Sequence, residues 1–376
     1  MNRRFVHLVM KNVVDHPEIW GRGMVGPEGQ SSGFKLHSIA ASTLFHPANT
    51  SAAAAWATTT MEDAEVPSPG MSFYRPWLGS QPGWMEFMPL GCGGGTSQMN
   101  DHIVGADRLG RTILYDAATR AVRTMADMEA PKAFPISLAV GDRLYVMSRR
   151  PRDPECFEVL VHGFSPGSIG GKDWHWYSLP PPPFARGQGG PPAIVDDEDD
   201  DDEDPCGVGA FTVFDDSHLW YSTRGHGTHC FDTARDMWSV VGEWALPFRG
   251  RAVRVADHGL WFGFSAEHGD RLCACDLRAV ATGRKARPEL REVWEEDVAA
   301  PEEWTLTQSY LVPLGAGKLC VARIFHGVLE QGRRRTAKSF GVLTGVQVVG
   351  TAAGLDMIKH RSVRYDLTDR TVGKVL

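Results

Sequence analysis

The segment Phe211-Thr-Val-Phe-Asp-Asp-Ser-His-Leu-Trp-Tyr221 contains a short apolar strand, a polar turn and a second strand that begins with Leu and an aromatic residue. A strand repeats every two residues and a helix every three to four, and helical patterns are scarce along this chain. Asp and Ser are residues that bond the local backbone in tight turns. The segment therefore predicts a β-hairpin.

The same pattern returns three more times along the chain. It reads Leu138-Ala-Val-Gly-Asp-Arg-Leu-Tyr-Val146, then Val253-Arg-Val-Ala-Asp-His-Gly-Leu-Trp-Phe262, and more weakly Tyr310-Leu-Val-Pro-Leu-Gly-Ala-Gly-Lys-Leu-Cys-Val321. Gly or Asp occupies each turn, where a positive φ or a local side-chain bond is needed. These segments predict three further hairpins.

A second pattern follows the first by one strand. Leu114-Tyr-Asp-Ala-Ala-Thr-Arg-Ala-Val122 matches Cys230-Phe-Asp-Thr-Ala-Arg-Asp-Met-Trp238, with a large apolar residue six positions after the Asp. Cys273-Ala-Cys-Asp276 is a partial copy, and His162-Gly-Phe-Ser165 with Trp174 and Trp176 stands where another copy is due. We expect the Asp to accept backbone N–H bonds between two strands and the later residue to cover the sheet edge.

The spacing of these patterns predicts the architecture. The register marks Tyr115, Phe164, Phe231 and Cys275 are 49, 67 and 44 residues apart, and the longest interval contains a Pro/Gly/acidic insert. A four-stranded unit that recurs every ~45 to 50 residues is typical of a β-propeller. We expect an all-β chain, a single domain over 1–376 with about six four-stranded blades, closed by its N- and C-terminal strands. A pair of two-sheet sandwiches is the alternative.

Residues 47–82 and 186–205 are segments outside the repeat. Residues 47–82 combine an alanine run with a Pro-rich continuation, and we interpret them as a mobile surface loop. Residues 186–205 hold Pro, Gly and nine consecutive acids, Asp196 to Asp204. Such a run repels itself and cannot pack, which predicts a disordered insert, with a docking tail for a basic partner as the alternative.

Charge and cysteine usage exclude several classes of protein. The chain has 39 Lys+Arg and 46 Asp+Glu, a net charge of -7, and without the nine-residue run the acids number 37. A nearly neutral body argues against a nucleic-acid binder. No segment approaches the ~18 to 20 apolar residues of a membrane helix, and the apolar start is too short for a signal peptide. Seven scattered cysteines suit a reduced compartment, so we expect an intracellular monomer, in cytoplasm or nucleus.

Several blocks resemble a known family. They are Arg3 to Val9, Phe34 to Phe45, Gly110 to Asp116, Ser137 to Gly141, Trp174 to Pro183, Phe231 to Arg235, Trp244 to Arg251, Gly259 to Gly263, Phe340 to Gly345 and Lys359 to Tyr365. Together they are similar to the grass-expanded plant family called domain of unknown function 1668. The resemblance implies a plant origin and a kelch-like propeller, and it implies no activity. The paired glycines of true kelch repeats are missing after Val146, Tyr221 and Phe262. No helical leucine-rich segment stands before Phe5, so we expect the protein to have no F-box of its own.

One segment looks like part of a protease active site. Gly225-His-Gly-Thr-His229 is similar to the histidine segment of subtilases, and Gly95-Thr-Ser97 is similar to their serine segment. Subtilases place Asp, His and Ser in that order, whereas here the serine comes first and the surroundings are strands. We therefore interpret Gly225 to His229 as a strand and turn.

Other chemical motifs are equally weak. His226, His229, Cys230, Cys273 and Cys275 have the chemistry of metal ligands, but their spacing is not that of a structural zinc site, and we interpret them as core or surface residues. No tyrosine and histidine cluster suits a copper-radical oxidase. Gly91-Cys-Gly-Gly-Gly95 lacks the Lys-Ser/Thr of a phosphate loop. Trp220 and Trp261 are interpreted as blade core.

We therefore predict no catalytic, cofactor-binding or metal-binding residues. Regular blades without a chemical constellation favour a non-enzymatic scaffold that presents loops to a protein partner. The alternative is an enzyme or small-ligand binder that uses the central channel of the propeller. That alternative requires two or more ionisable side chains that converge at one mouth of the channel.

Overall fold

The computed structural model describes residues 3–12, 33–46, 61–74, 84–91, 102–132, 134–164, 171–185, 207–294, 304–331, 334–351, 354–368 and 370–376. The described chain is composed almost entirely of strands. The first four are β1 (Phe5–Asn12), β2 (Gly33–Ala40), β3 (Glu62–Ala64) and β4 (Met71–Tyr74).

Sixteen strands follow between residues 85 and 293. They are β5 (Met85–Leu90), β6 (His102–Asp107), β7 (Thr112–Asp116), β8 (Ala121–Thr124), β9 (Pro135–Val140), β10 (Arg143–Ser148), β11 (Phe157–Gly163), β12 (Asp173–Ser178), β13 (Val208–Val213), β14 (His218–Thr223), β15 (Gly227–Asp232), β16 (Met237–Gly242), β17 (Phe248–Val255), β18 (Leu260–Ser265), β19 (Leu272–Cys275) and β20 (Leu290–Val293).

The last strands are longer. They are β21 (Trp304–Gly315), β22 (Lys318–Gln331), β23 (Arg334–Thr351), β24 (Gly354–Asp366) and β25 (Arg370–Val375). The helical elements of the described part are the 3₁₀ helices Ala41–Leu44 and Ala256–His258 and the α-helix α1 (Leu277–Ala281).

The chain divides into two compact units. The first unit combines Met1–Gly83 with Glu296–Leu376, and the second unit is Trp84–Glu295. The prediction of a single domain over 1–376 stays a prediction.

The first unit contains two sheets. Sheet A has the order β25-β1-β2-β4, and sheet F has the order β21-β22-β23-β24-β3. In sheet A, β1 pairs antiparallel with β25, with Leu8 opposite Val375. The two ends of the chain therefore lie in one sheet. Side chains from both sheets share one core, which includes Val6, Leu8, Leu314, Ile324, Leu343 and Val372.

The second unit contains four antiparallel meanders in chain order. Sheet B is β5-β6-β7-β8, sheet C is β9-β10-β11-β12, sheet D is β13-β14-β15-β16 and sheet E is β17-β18-β19-β20. Sheets D and E join into eight strands because β13 pairs parallel with β17, with Ala210 opposite Gly250. Each meander has the strand order of a propeller blade.

The cores of the second unit lie between consecutive meanders. One core combines Val104 and Leu114 of sheet B with Leu144 and Leu160 of sheet C. Further cores join sheet C to sheet D and sheet D to sheet E. A single four-stranded sheet buries only part of its apolar surface, so each sheet depends on its neighbours for a core.

The four hairpins expected from the sequence are present. They are β9–β10, β13–β14, β17–β18 and β21–β22. Gly141 supplies the positive φ of +61° in the first turn, where a residue with a side chain would be strained. The predicted class, an all-β chain of four-stranded units, is confirmed.

The range 47–82 was expected to be a loop, yet in its described part β3 pairs with β24 and β4 pairs with β2. The extended segments find partners because sheets A and F offer them a free outer edge. The predicted insert 186–205 lies outside the described residues.

Among the described residues, no helix has the length and hydrophobicity to cross a membrane.

Candidate functional site

Asp116 and Asp232 fix the turn after the third strand of sheets B and D. The Oδ1 atom of Asp116 accepts N–H bonds from Ala118 (2.9 Å) and Thr119 (3.3 Å). The Oδ1 atom of Asp232 accepts the equivalent bonds from Ala234 (2.9 Å) and Arg235 (3.3 Å). These bonds confirm the expected turn.

Hydrogen bonds to the ionised form keep both aspartates charged. The Thr119 hydroxyl is the largest cause of the lowered pKa of Asp116, and the Ala234 N–H is the largest cause for Asp232. The residue six positions later is placed as the pattern indicated, with Val122 opposite Tyr115 and Trp238 opposite Phe231. The repeated aspartate is therefore a structural residue of the turn.

A histidine lies opposite each of these aspartates. His102 starts β6 opposite Asp116, and His218 starts β14 opposite Asp232. The Nδ1 atom of His218 lies 2.8 Å from Asp215 Oδ1 and 3.1 Å from Ser217 Oγ. A hydrolytic triad has its hydroxyl and its carboxylate on opposite ring nitrogens, so this arrangement does not activate Ser217.

A cavity of about 280 Å³ opens between sheets B and C. We call it the interblade pocket. It combines apolar and ionisable side chains from β6, β7, β8, β11 and β12, and its lining is His102, Leu114, Asp116, Ala121, Val122, Arg123, His162 and Trp174. Its volume is near the lower end for pockets that hold a small ligand or a partner's side chain.

The polar groups of the interblade pocket are held in place from both sheets. Arg123 donates to Asp173 at 2.6 Å across the gap between β8 and β12. The Trp174 N–H, and next to it Arg123, lowers the pKa of Asp173. The rings of His162 and Trp174 are 4.9 Å apart. His102 Nδ1 is buried and has no hydrogen-bond partner among the described residues, so it is available to a polar group that enters.

The subtilase-like segment belongs to the turn between β14 and β15. Gly227 has φ of +72°, and a Cβ there would lie 2.4 Å from the Gly242 carbonyl oxygen, so only glycine fits. Thr228 Oγ1 donates to the Trp244 carbonyl at 2.7 Å. The segment is therefore a strand and turn. Ser97 lies outside the described residues.

The residues that have the chemistry of metal ligands do not lie around one point. Cys230, Cys273 and Cys275 belong to the core between sheets D and E. His229 faces the other side of sheet D, with its ring 5.2 Å from Phe184. In the described part of the chain, no group of three His, Cys, Asp or Glu side chains is placed to hold a metal ion.

Trp220 and Trp261 are buried in that same core. Phe214 stacks between them, with ring centroids 4.3 Å and 5.2 Å away and interplanar angles of 2° and 4°. The Trp261 Nε1–H donates to the Val213 carbonyl at 2.9 Å. Both tryptophans therefore serve packing, and the polar atom of Trp261 is satisfied.

The sequence did not reveal the interblade pocket. It marked His162 and Trp174 as repeat positions, which places them opposite each other on β11 and β12. It gave no sign that they face Arg123 and His102 of another sheet. His102, at the start of the second strand of sheet B and opposite the turn aspartate, is the sequence signal that could have pointed to the pocket.

The family model described as "Protein of unknown function (DUF1668)" matches residues 3–365. The chain belongs to this family. The resemblance drawn from the sequence blocks is confirmed at that level.

Among solved structures, the chain is similar to the β-propeller domain of Cps50 (Swd1) from Myceliophteria thermophila. The identity is 10%, the match covers 67% of this chain and 78% of that chain, and the TM-score is 0.32. No curated protein matches this DUF1668 chain.

Proposed function

We propose that this DUF1668 protein is a non-enzymatic scaffold that binds a protein partner along the outer strands of sheets B, C and D. The observation that carries the proposal is a set of exposed apolar side chains on the last strand of each sheet. Val122 on β8 is 46% exposed, Tyr177 on β12 is 39%, and Met237 and Val240 on β16 are 61% and 67%. All four side chains lie on the outermost strand of a four-stranded meander, where an extended segment of a partner could pair with the strand and cover them.

Strand β16 has the strongest features of a binding edge. It is the terminal strand of the joined sheets D and E, and no strand of the described chain pairs with its outer row of backbone N–H and C=O groups. Its sequence, Met-Trp-Ser-Val-Val-Gly, contains no charged residue or proline. Natural proteins usually blunt an exposed edge with such residues, and extended peptides add to edges that lack them.

The interblade pocket supports the same function. Val122 is one of the exposed apolar residues of the outer strands, and it also lines the interblade pocket. A partner that contacts β8 therefore meets a cavity with a tryptophan wall, two imidazoles and a guanidinium. These groups suit a side chain that is partly apolar and carries a polar end.

The proposal is tested by affinity purification from tissue of the source organism, with the purified protein as bait. The test variants are Val240→Lys on β16 and Val122→Lys at the pocket. The matched control is Ala266→Lys, which adds the same charge at an exposed position in the turn between β18 and β19. That turn lies outside the outer strands β8, β12 and β16.

We expect the wild type to recover a specific protein, and a test variant to recover at least about tenfold less of it than the control. Recovery of no specific protein, or equal recovery by all variants, would contradict the proposal. We also propose that this DUF1668 protein is a kelch-like plant protein and an intracellular monomer, in cytoplasm or nucleus, without nucleic-acid or membrane partners.

A further inference from the structure

The connection between β19 and β20 of sheet E is longer than its counterparts. In sheets B and D the equivalent turns run from Asp116 to Ala121 and from Asp232 to Met237, whereas this one runs from Asp276 to Leu290. Helix α1 opens it, and Asp276 caps the helix by accepting the Ala279 N–H at 3.1 Å. The equivalent aspartate closes a short turn in sheets B and D, whereas in sheet E it caps the helix of a longer connection.

This connection forms one wall of a cavity of about 310 Å³, which we call the α1 pocket. Its lining contains three cations and two acids, and it consists of Asp276, Ala279, Arg284, Lys285, Glu289 and Arg291. Both acids are already engaged. Asp276 caps α1, and Glu289 accepts from Lys285 at 2.8 Å.

Two cations of the α1 pocket form no ion pair with the described residues, and its three cations outnumber its two acids. Arg284 Nε donates to the Thr282 hydroxyl at 3.0 Å. Neither Arg284 nor Arg291 pairs with a carboxylate in the described part of the chain. Arg278 and Arg287 add positive charge on the same exposed segment, and Arg287 contributes, after Lys285, to the lowered pKa of Glu289. The pocket is therefore a local positive site on a chain whose net charge is -7.

We propose that the α1 pocket binds a carboxylate side chain from an acidic segment of a partner protein, between Arg284 and Arg291. Guanidinium groups present parallel N–H donors that match a carboxylate, and such charge-assisted bonds are among the strongest in proteins. The inserted connection is anchored on a rigid sheet at both ends, which suits a recognition loop. This inference rests on the proposed scaffold function and names the chemistry of one partner segment.

The test uses the purified full-length protein and a fluorescein-labelled hexaglutamate peptide, with binding followed by fluorescence anisotropy. The test variant is Arg284→Gln with Arg291→Gln. The control variant is Arg4→Gln with Arg143→Gln, which removes the same charge at exposed positions outside the pocket. All four side chains are exposed, and circular dichroism verifies that each variant is folded.

We expect the test variant to bind the peptide at least tenfold more weakly than the wild type and the control to stay within twofold. We also expect a hexaglutamine peptide not to bind. Equal affinity of the test variant and the wild type, or an equal loss in the control, would overturn the proposal.

A further variant distinguishes a partner from the chain's own acids. In it, Asp196 to Asp204 are replaced by Asn and Gln. Unchanged affinity for hexaglutamate supports a partner segment, whereas an affinity more than tenfold higher would show that those nine acids occupy the pocket and would overturn the assignment. This assay needs no natural partner, so its failure is distinguishable from failure of the affinity purification at β16.

Discussion

Lys132 and Glu158 form an ion pair from which water is almost excluded. Their side chains are 2% and 0% exposed, and the Lys132 ammonium donates to Glu158 Oε1. Lys132 lies in the connection between β8 and β9, and Glu158 lies on β11. The Glu158 carboxylate also accepts the N–H groups of Glu129 (2.9 Å) and Ala130 (3.0 Å). One carboxylate therefore fixes the connection between sheets B and C.

Replacement of Glu158 by Gln should destabilise the protein strongly. The variant leaves the Lys132 ammonium buried without an anion, and loss of one partner from a buried pair costs about 3 to 5 kcal/mol in the free energy of unfolding. The glutamine amide keeps only one oxygen, so its NH₂ group would face one of the two backbone N–H donors and leave that donor without an acceptor. Urea unfolding followed by tryptophan fluorescence measures the change.

The matched control is Glu289→Gln, which breaks the pair with Lys285. In that pair the side chains are 45% and 57% exposed. Exposed pairs contribute little because water and salt screen them, so we expect no measurable change. A small effect at Glu158, equal to that at Glu289, would contradict the role given to the buried pair.

Replacement of Asp116 by Ala should weaken the turn between β7 and β8. The variant loses the acceptor for two backbone N–H groups and for the Thr119 hydroxyl, which lies 2.6 Å from Oδ2. Loss of such a local acceptor costs about 1 kcal/mol. Asp116→Asn keeps one acceptor oxygen and should retain part of the stability. Thermal unfolding compares the two, and equal stability of Asp116→Ala and wild type would show that the turn does not need its aspartate.

The sequence alone predicts those structural features that depend on residues close together in the chain. The turn aspartates, the hairpins and the opposite placement of Phe231 and Trp238 follow from local spacing, because register in a hairpin is fixed by its turn. Helix α1 begins directly after Asp276, the last residue of the partial copy of the second pattern. An inserted segment there removes the short turn that makes the repeat recognisable.

Features that depend on contacts between sheets could not be predicted. The bond from Arg123 to Asp173 joins residues 50 positions apart in sequence, and no local pattern indicates it. The ion pairs of strand β3 could not be predicted either. Glu62 pairs with Arg361 and Asp63 with Arg364 because β3 lies beside β24, about 300 residues later in the chain. Single-sequence patterns show which face of a strand is apolar but not which sheet covers it.

Replacement of Phe214 should separate packing volume from ring stacking. Phe214→Ala leaves a gap between Trp220 and Trp261 and should cost about 3 kcal/mol, the lower end for an aromatic side chain because Phe214 is only partly buried. Phe214→Leu keeps apolar volume but loses two ring contacts, for about 1 kcal/mol. Phe214→Tyr keeps the stack and should stay close to wild type. Chemical denaturation measures all three, and equal stability of the Leu and Tyr variants would show that stacking contributes nothing.

The buried cysteines should resist thiol reagents in the native protein. Burial raises the pKa of Cys156, Cys273, Cys275 and Cys320 to about 12 and that of Cys230 to about 11. The thiolate is the reactive form, and at pH 8 it is scarce at such values. In a Cys92→Ser and Cys206→Ser variant, we expect all five remaining thiols to react with Ellman's reagent within minutes in denaturant and far more slowly without it. A rapid native reaction of any of the five would contradict the burial.

Stability should fall as the pH is lowered from about 6.5 to 4, and His7 should account for part of that fall. Burial, and next to it the charge of Arg3, lowers the pKa of His7 to about 4, whereas an unfolded histidine titrates near 6.5. Between pH 4 and 6.5 the unfolded chain binds a proton at His7 that the folded chain does not. The contribution of His7 to stability therefore rises with pH by up to about 1.4 kcal/mol per pH unit in this range and is constant above pH 6.5. His7→Gln keeps a side chain able to bond the Ser38 hydroxyl, which lies 2.9 Å from His7 Nδ1, and removes the titration. Urea unfolding at several pH values should therefore show stability depending less steeply on pH for the variant than for the wild type between pH 4 and 6.5. An unchanged dependence would show that His7 does not contribute to the fall.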